Sequence, residues 1–137
     1  MLDQLLVAGI VSACNITIHA LVMTLVVRVA YGTAVKHTDR PSFRLTVVMV
    51  ATVLVLMAAH VAEVMVWALA YRIVGAVPAG TSLVYFALVN YTTLGYGDVV
   101  PVREWQLLGP ITAMNGVLLF GWSTAVIFEV LRRAMAK

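Results

Sequence analysis

The sequence predicts an all-α membrane protein with three transmembrane helices and one re-entrant segment, and three observations carry that expectation. Of its 137 residues, 63% are hydrophobic and only 11% charged, against roughly 45–50% and about 25% in ordinary soluble domains. Mean hydropathy is +1.01. Three stretches reach the length of about 20 apolar residues needed to cross roughly 30 Å of hydrocarbon. Nine Lys and Arg and six Asp and Glu cannot cover the surface of a small soluble domain. A soluble enzyme, a disordered tail and a nucleic-acid-binding module are therefore poor fits, although the pI is about 9.4. The single cysteine, Cys14, leaves no intrachain disulfide or CxxC motif.

The first span runs from Leu5 to Val27 without a charge. Asp3 stands where a signal peptide would carry basic residues, so this helix is expected to be retained. The second span runs from Leu45 to Tyr71 and holds one charge, Glu63. The third runs from Trp105 to Phe128, uncharged and interrupted only by Gly109-Pro110. Between the second and third lies Ser82 to Asp98, whose apolar part is too short to span and is followed by two glycines. Such a segment is tolerated at membrane depth only when protein or water surrounds it. Thr81 or Ser82 is placed to cap its short helix.

Basic residues orient the chain. Arg28, Lys36, Arg40 and Arg44 flank the first loop, and Arg132, Arg133 and Lys137 follow the third span, while the other side receives only Arg72 and Arg103. This imbalance predicts a multi-pass protein of the plasma (cell inner) membrane, with the first loop and C-terminus cytoplasmic and the N-terminus outside. Tyr31 on the inner side, with Tyr71 and Trp105 on the outer, suits an interfacial aromatic belt. The Lys36 to Arg44 loop can also meet anionic headgroups.

The re-entrant segment contains Thr92-Thr93-Leu94-Gly95-Tyr96-Gly97-Asp98. A dehydrated cation needs a ring of oxygens in place of its water, and backbone carbonyls supply them without net charge. Lining a pore with successive carbonyls requires backbone angles of alternating hand, and Gly95 and Gly97 reach positive φ at little cost. The Thr93 hydroxyl adds an oxygen at the cavity end, while Leu94 and Tyr96 would point away from the axis. The short helix before the motif points its C-terminal end toward the membrane centre, where its partial negative charge favours a cation. One chain supplies one loop, so a closed ring of four requires a homotetramer.

With one Leu in place of Val, Thr93 to Gly97 is the potassium-channel filter sequence TVGYG. From Leu83 to Leu131 the chain resembles the pore domain of tetrameric potassium channels, particularly the small bacterial type, with an extra N-terminal helix. The resemblance implies an extra helix and basic loop over residues 1–44 and a pore domain over 45–137, the latter comprising outer helix, re-entrant pore helix, selectivity filter and inner helix. It implies passive, selective K+ conduction by a homotetramer in a lipid bilayer. K+ would be held at Thr93, Leu94, Gly95 and Tyr96 as the permeant ion, with no cofactor and no nucleic-acid partner. It implies that Tyr85 hydrogen-bonds Asp98 to hold the filter mouth, and that Val117, Phe120 and Thr124 line the cavity. Gly116 matches the gating glycine of the inner helix, although a glycine there also permits close helix packing. Asn115 is expected to bond the pore helix or a neighbouring subunit. Val89 stands where some bacterial members carry an acidic residue, and the first span lacks the regular arginines of a voltage sensor. A weakly selective cation channel and a non-conducting accessory subunit are the alternative functions. No triad, metal cluster or phosphate loop supports an enzyme.

The residue most at odds with its setting is Glu63, which costs about 2.5–3.5 kcal/mol at mid-membrane. His60 shares its helical face, and Asn15 and His19 share one on the first span. Because the two spans run antiparallel, all four fall near one depth, where a buried network would dock the first helix onto the outer helix. Such a network is expected to act mainly as structural glue, with proton sensing as the alternative. A metal site is the weaker reading.

Overall fold

The computed structural model describes residues 1–34 and 41–135, with side chains described for 1–30 and 42–135. Lys36, Arg40 and Lys137 of the basic set lie outside the described residues, as does most of the loop assigned to anionic headgroups. The chain is all-helical: α1 (Leu2–Ala34), α2 (Pro41–Val74), α3 (Leu83–Tyr91), a 3-10 turn at Arg103–Trp105, and α4 (Leu108–Met135).

Three of the helices, α1, α2 and α4, are long and apolar enough to cross a membrane. At 1.5 Å per residue, α1 and α2 are each about 50 Å long, so they overrun the hydrocarbon at their ends. Proline at the first position of α2 suits a helix start, because its missing N–H is unneeded there. The same helix stops at Gly75, whose φ of +64° lets Ala76 N donate to Tyr71 O at 3.0 Å. Gly109 and Pro110 lie in the first turn of α4. Proline is harmless there, so the pair opens the third span instead of interrupting it.

The four helices pack in three layers. On the side of the loop that follows α3, Trp67 and Tyr71 of α2 meet Phe86 and Tyr91 of α3, with Ala8 of α1 and Leu108 of α4. At the opposite end, Met23 and Val26 of α1 meet Leu56 of α2 and Val126 and Val130 of α4. Between these apolar layers lie the buried polar residues Asn15, His19, Glu63, Asn115 and Ser123. α1 packs against both α2 and α4, and Leu107 N donates to Gln4 Oε1 at 2.9 Å where α1 meets the start of α4. The polar network predicts docking on the outer helix; α4 is a second partner of α1. Only 17% of the most apolar stretch of α2 is buried within the chain. Its outer surface carries exposed Leu54, Met57 and Leu69, the pattern of a helix meeting lipid or another subunit.

Candidate functional site

The re-entrant segment begins at Ser82, which caps α3 by accepting a hydrogen bond from Tyr85 N at 3.4 Å. Phe86, Ala87, Val89 and Tyr91 bury one side of this nine-residue helix. The chain then leaves the helix through Thr92, and Leu94 N donates back to Val89 O at 3.0 Å. Thr93, Gly95 and Gly97 take positive φ of 61°, 57° and 76°, while Leu94 and Tyr96 between them do not. Backbone of alternating hand turns successive peptide planes alike, the condition for lining a path with carbonyl oxygens. The glycines account for two of these angles. The third falls on a β-branched residue, for which positive φ is a true outlier, and strain of that kind persists where the surroundings impose it. Residues 92–98 are all exposed within the single chain.

Beyond the loop, Tyr85 Oη donates to Asp98 Oδ2 at 2.7 Å, tying α3 to the end of the motif. That hydrogen bond to a carboxylate holds the Tyr85 phenol above the ordinary tyrosine range. Val102 N donates to Ala76 O at 2.9 Å, fastening the return of the loop to the end of α2.

On α4, Val117 and Thr124 are exposed. Phe120 is only partly so, because its ring meets His60 and Tyr91 at centroid distances of 4.6 and 5.4 Å. Gly116 is buried against α3: a Cβ there would lie 2.0 Å from the Tyr91 carbonyl oxygen. That contact is a packing reason for glycine, independent of any bending.

Asn15, His19, His60 and Glu63 come together as their spacing predicts. His19 Nδ1 lies 2.8 Å from Glu63 Oε1 and His60 Nδ1 lies 3.0 Å from Glu63 Oε2. Asn15 Nδ2 donates to the Glu63 carbonyl at 3.2 Å. Three further members were not foreseen. Tyr91 Oη donates to Glu63 Oε2, Ser123 Oγ lies 2.9 Å from His60 Nε2, and Trp67 Nε1 donates to Asn115 Oδ1 at 3.1 Å. The sequence places Asn115 as a partner of the pore helix or a neighbouring subunit; within the chain it meets other helices. Its Oδ1 accepts from Asn15 of α1 at 3.2 Å as well as from Trp67 of α2, because its side chain lies on the buried face of α4. Thr112, Asn115 and Ser123 share that face, and their spacing was the available signal. Asn15 Oδ1 is the one buried side-chain polar atom without a partner among the described residues. At the far end of α4, Glu129 pairs with both Arg132 and Arg133.

Three membrane-crossing helices around a short re-entrant helix and its exposed loop define a multi-pass membrane protein of the pore-loop kind. A family model described as "Ion channel" matches residues 59–133, from the second half of α2 through α3, the loop and most of α4. That is more than half of the chain, and the protein belongs to this ion channel family. No curated protein and no solved structure matches it.

Proposed function

We propose that this ion channel is a potassium channel, a homotetramer that places four copies of the loop around one axis and conducts K+ passively. The reading rests above all on the alternating backbone of Thr93, Gly95 and Gly97 within a Thr-Leu-Gly-Tyr-Gly sequence. In the tetramer the carbonyls of Thr93, Leu94, Gly95 and Tyr96 would coordinate K+, with the Thr93 hydroxyl at the cavity end and Gly97 completing the turn. Tyr85 and Asp98 hold the outer mouth through their hydrogen bond. Val117, Phe120 and Thr124 would line the cavity on the inner side. A bend of α4 at Gly116 would gate the path, and it would have to part α4 from the Tyr91 carbonyl. The basic residues put the N-terminus outside and the C-terminus in the cytoplasm. The permeant ion is the only small species this function needs.

Purified protein in liposomes under opposed K+ and Na+ gradients tests the reading. The expected result is a reversal potential close to that for K+, with flux blocked by barium. Equal permeability would assign a weakly selective cation channel instead. Absence of barium-sensitive flux would assign an accessory subunit.

A further inference from the structure

We propose that His19, His60 and Glu63 form a binding site for one divalent transition-metal ion of the zinc class, which ties α1 to α2 next to the loop that follows α3 and holds α4 against both.

Five side chains from four helices meet in the buried polar layer: His19 of α1, His60 and Glu63 of α2, Tyr91 of α3 and Ser123 of α4. Glu63 Oε1 meets His19 Nδ1 at 2.8 Å, while Glu63 Oε2 meets His60 Nδ1 at 3.0 Å and the Tyr91 hydroxyl. His60 Nδ1 also lies 2.9 Å from Tyr91 Oη. Ser123 Oγ lies 2.9 Å from His60 Nε2 and 3.4 Å from His19 Nε2. These are six close polar contacts. A neutral imidazole, a phenol and a serine hydroxyl supply one hydrogen each, and an ionised carboxylate supplies none. At one hydrogen per contact the group is two short, whichever tautomers the histidines take.

A divalent cation removes the shortage. Both imidazoles turn Nδ1 toward the same carboxylate, the convergence that a metal ion needs from its donors. With each Nδ1 coordinated, each Nε2 carries the hydrogen. Both then donate to Ser123 Oγ, whose two lone pairs accept two hydrogen bonds. Metal-bound histidines almost always donate their second N–H to such a partner, which fixes the tautomer and aims the ring. Tyr91 donates to Glu63 Oε2 and so aims the third ligand. No contact of a ring nitrogen with Glu63 or Ser123 is then left without a hydrogen or the metal.

Spacing along the sequence makes a metal the weaker reading; the placement of the donor atoms strengthens it. One ligand-type atom from each of the three residues lies within 4.8 Å of the other two. Donors about 2.0–2.2 Å from a tetrahedral zinc ion stand about 3.3–3.6 Å apart, so rotation of the rings completes the sphere without moving the helices. Two imidazoles and one carboxylate suit zinc and the neighbouring late first-row ions, whereas magnesium and calcium take oxygen donors. The electrostatic setting agrees. α3 ends at Tyr91, which puts the partial negative charge of a helix C-terminus beside the site. His60 keeps 14% of its side chain exposed, next to the partly exposed Phe120, and this opening admits the ion.

The hold on α4 follows from position. Tyr91 immediately precedes Thr92, and its carbonyl packs on Gly116. Ser123 lies about two helical turns further along α4. A bend of α4 away from α3 would break both contacts, so the bound ion opposes it. The resulting fall in flux rests on the channel reading; the binding of the ion does not.

Full-length protein stripped with EDTA is followed by thermal unfolding in detergent and by K+ flux in liposomes, with Zn2+ or Mg2+ added. His19→Asn keeps an amide N–H for Glu63 but offers zinc a poor ligand. His37→Ala controls for the remaining histidine of the sequence. Wild type and His37→Ala should bind one zinc per chain and unfold several degrees higher with zinc, but not with magnesium. Zinc should also lower their K+ flux severalfold, and EDTA should restore it. His19→Asn should bind zinc at least tenfold more weakly. Wild-type unfolding that ignores zinc overturns the proposal and assigns the missing positive charge to protons. An equal zinc shift in His19→Asn overturns it as well, by placing the ion elsewhere. Bound zinc that leaves flux unchanged in a conducting wild type refutes the hold on α4. Should no chain conduct, the channel reading fails while unfolding still reads the site. Should His19→Asn not fold, zinc X-ray absorption of the wild type decides. Two imidazoles per zinc are expected, and a shell without imidazole would overturn the proposal.

Discussion

Replacing Gly116 with alanine puts a methyl group into the closest approach between α4 and the re-entrant helix. The new Cβ would lie 2.0 Å from Tyr91 O and 3.0 Å from Tyr91 C. Both are backbone atoms, held by the last turn of α3, and cannot swing aside as a side-chain tip can. α4 would have to retreat by about 1 Å before the methyl reached even a tight contact with the carbonyl. Two terms oppose each other. Alanine in a helix interior gains about 1 kcal/mol over glycine, while overpacking costs about 1–3 kcal/mol and occasionally more. A backbone clash of this depth belongs at the upper end of that range, so the net expectation is a loss of about 2 kcal/mol. Gly121 supplies the control, because a Cβ there meets nothing within 4 Å in the chain, and its replacement by alanine should keep most of the propensity gain. Thermal unfolding followed by tryptophan fluorescence measures both variants. The reasoning is refuted if Gly116→Ala is as stable as wild type or more so. That result is what a hinge without a packing contact would give, since a stiffer helix would then be the only consequence.

Four other substitutions probe three separate links. Gly95→Ala forces a side chain into φ of +57°, at a cost of about 1–2 kcal/mol; K+ flux should be lost while helical content by circular dichroism stays unchanged. Tyr85→Phe and Asp98→Asn each disturb one 2.7 Å hydrogen bond. Each should lower K+ over Na+ discrimination in reversal-potential measurements, and the double variant should be no worse than the more affected single one. Tyr71→Phe removes the hydroxyl that donates to Thr112 Oγ1 at 2.5 Å. Thr112 keeps its bond to Leu108 O, so the loss should be only about 1 kcal/mol, read as a small fall in unfolding temperature.

The spans, the short re-entrant helix and the meeting of His19 with Glu63 were legible because each follows from a period or a length. An apolar run of given length crosses a bilayer, and residues three or four apart share a helical face. Tyr91 and Ser123 escaped for the opposite reason. A tyrosine near the end of an apolar helix reads as core filler, and a serine in a spanning helix ordinarily bonds its own backbone. Only the crossing of α3 and α4 next to α2 turns Tyr91 to Glu63 and Ser123 to the two histidines. Thr93 escaped because the rule that assigns positive φ to glycine assigns it away from a β-branched residue. There the local preference yields to what the loop imposes.

The polar layer also bears on whether α1 can be separated from the remainder. Asn15 and His19 are fully buried, and their partners are Glu63 on α2 and Asn115 and Ser123 on α4. Removing α1 would leave the Glu63 carboxylate and the Asn115 amide short of donors inside an apolar sandwich. Leaving a buried acceptor without a donor costs about 1–3 kcal/mol, and more for a charged group, a large fraction of the stability of a small domain. Across the division between residues 1–44 and 45–137, Asn15 and His19 thus share one buried polar layer with Glu63, Asn115 and Ser123. The ion channel match begins at residue 59, yet Glu63 is hydrogen-bonded from outside the matched stretch, by a histidine on a helix that the matched region does not include. Glu63 explains the contact: once a carboxylate is placed on the inner face of α2, the helix that carries its hydrogen-bond partner becomes part of the core around it.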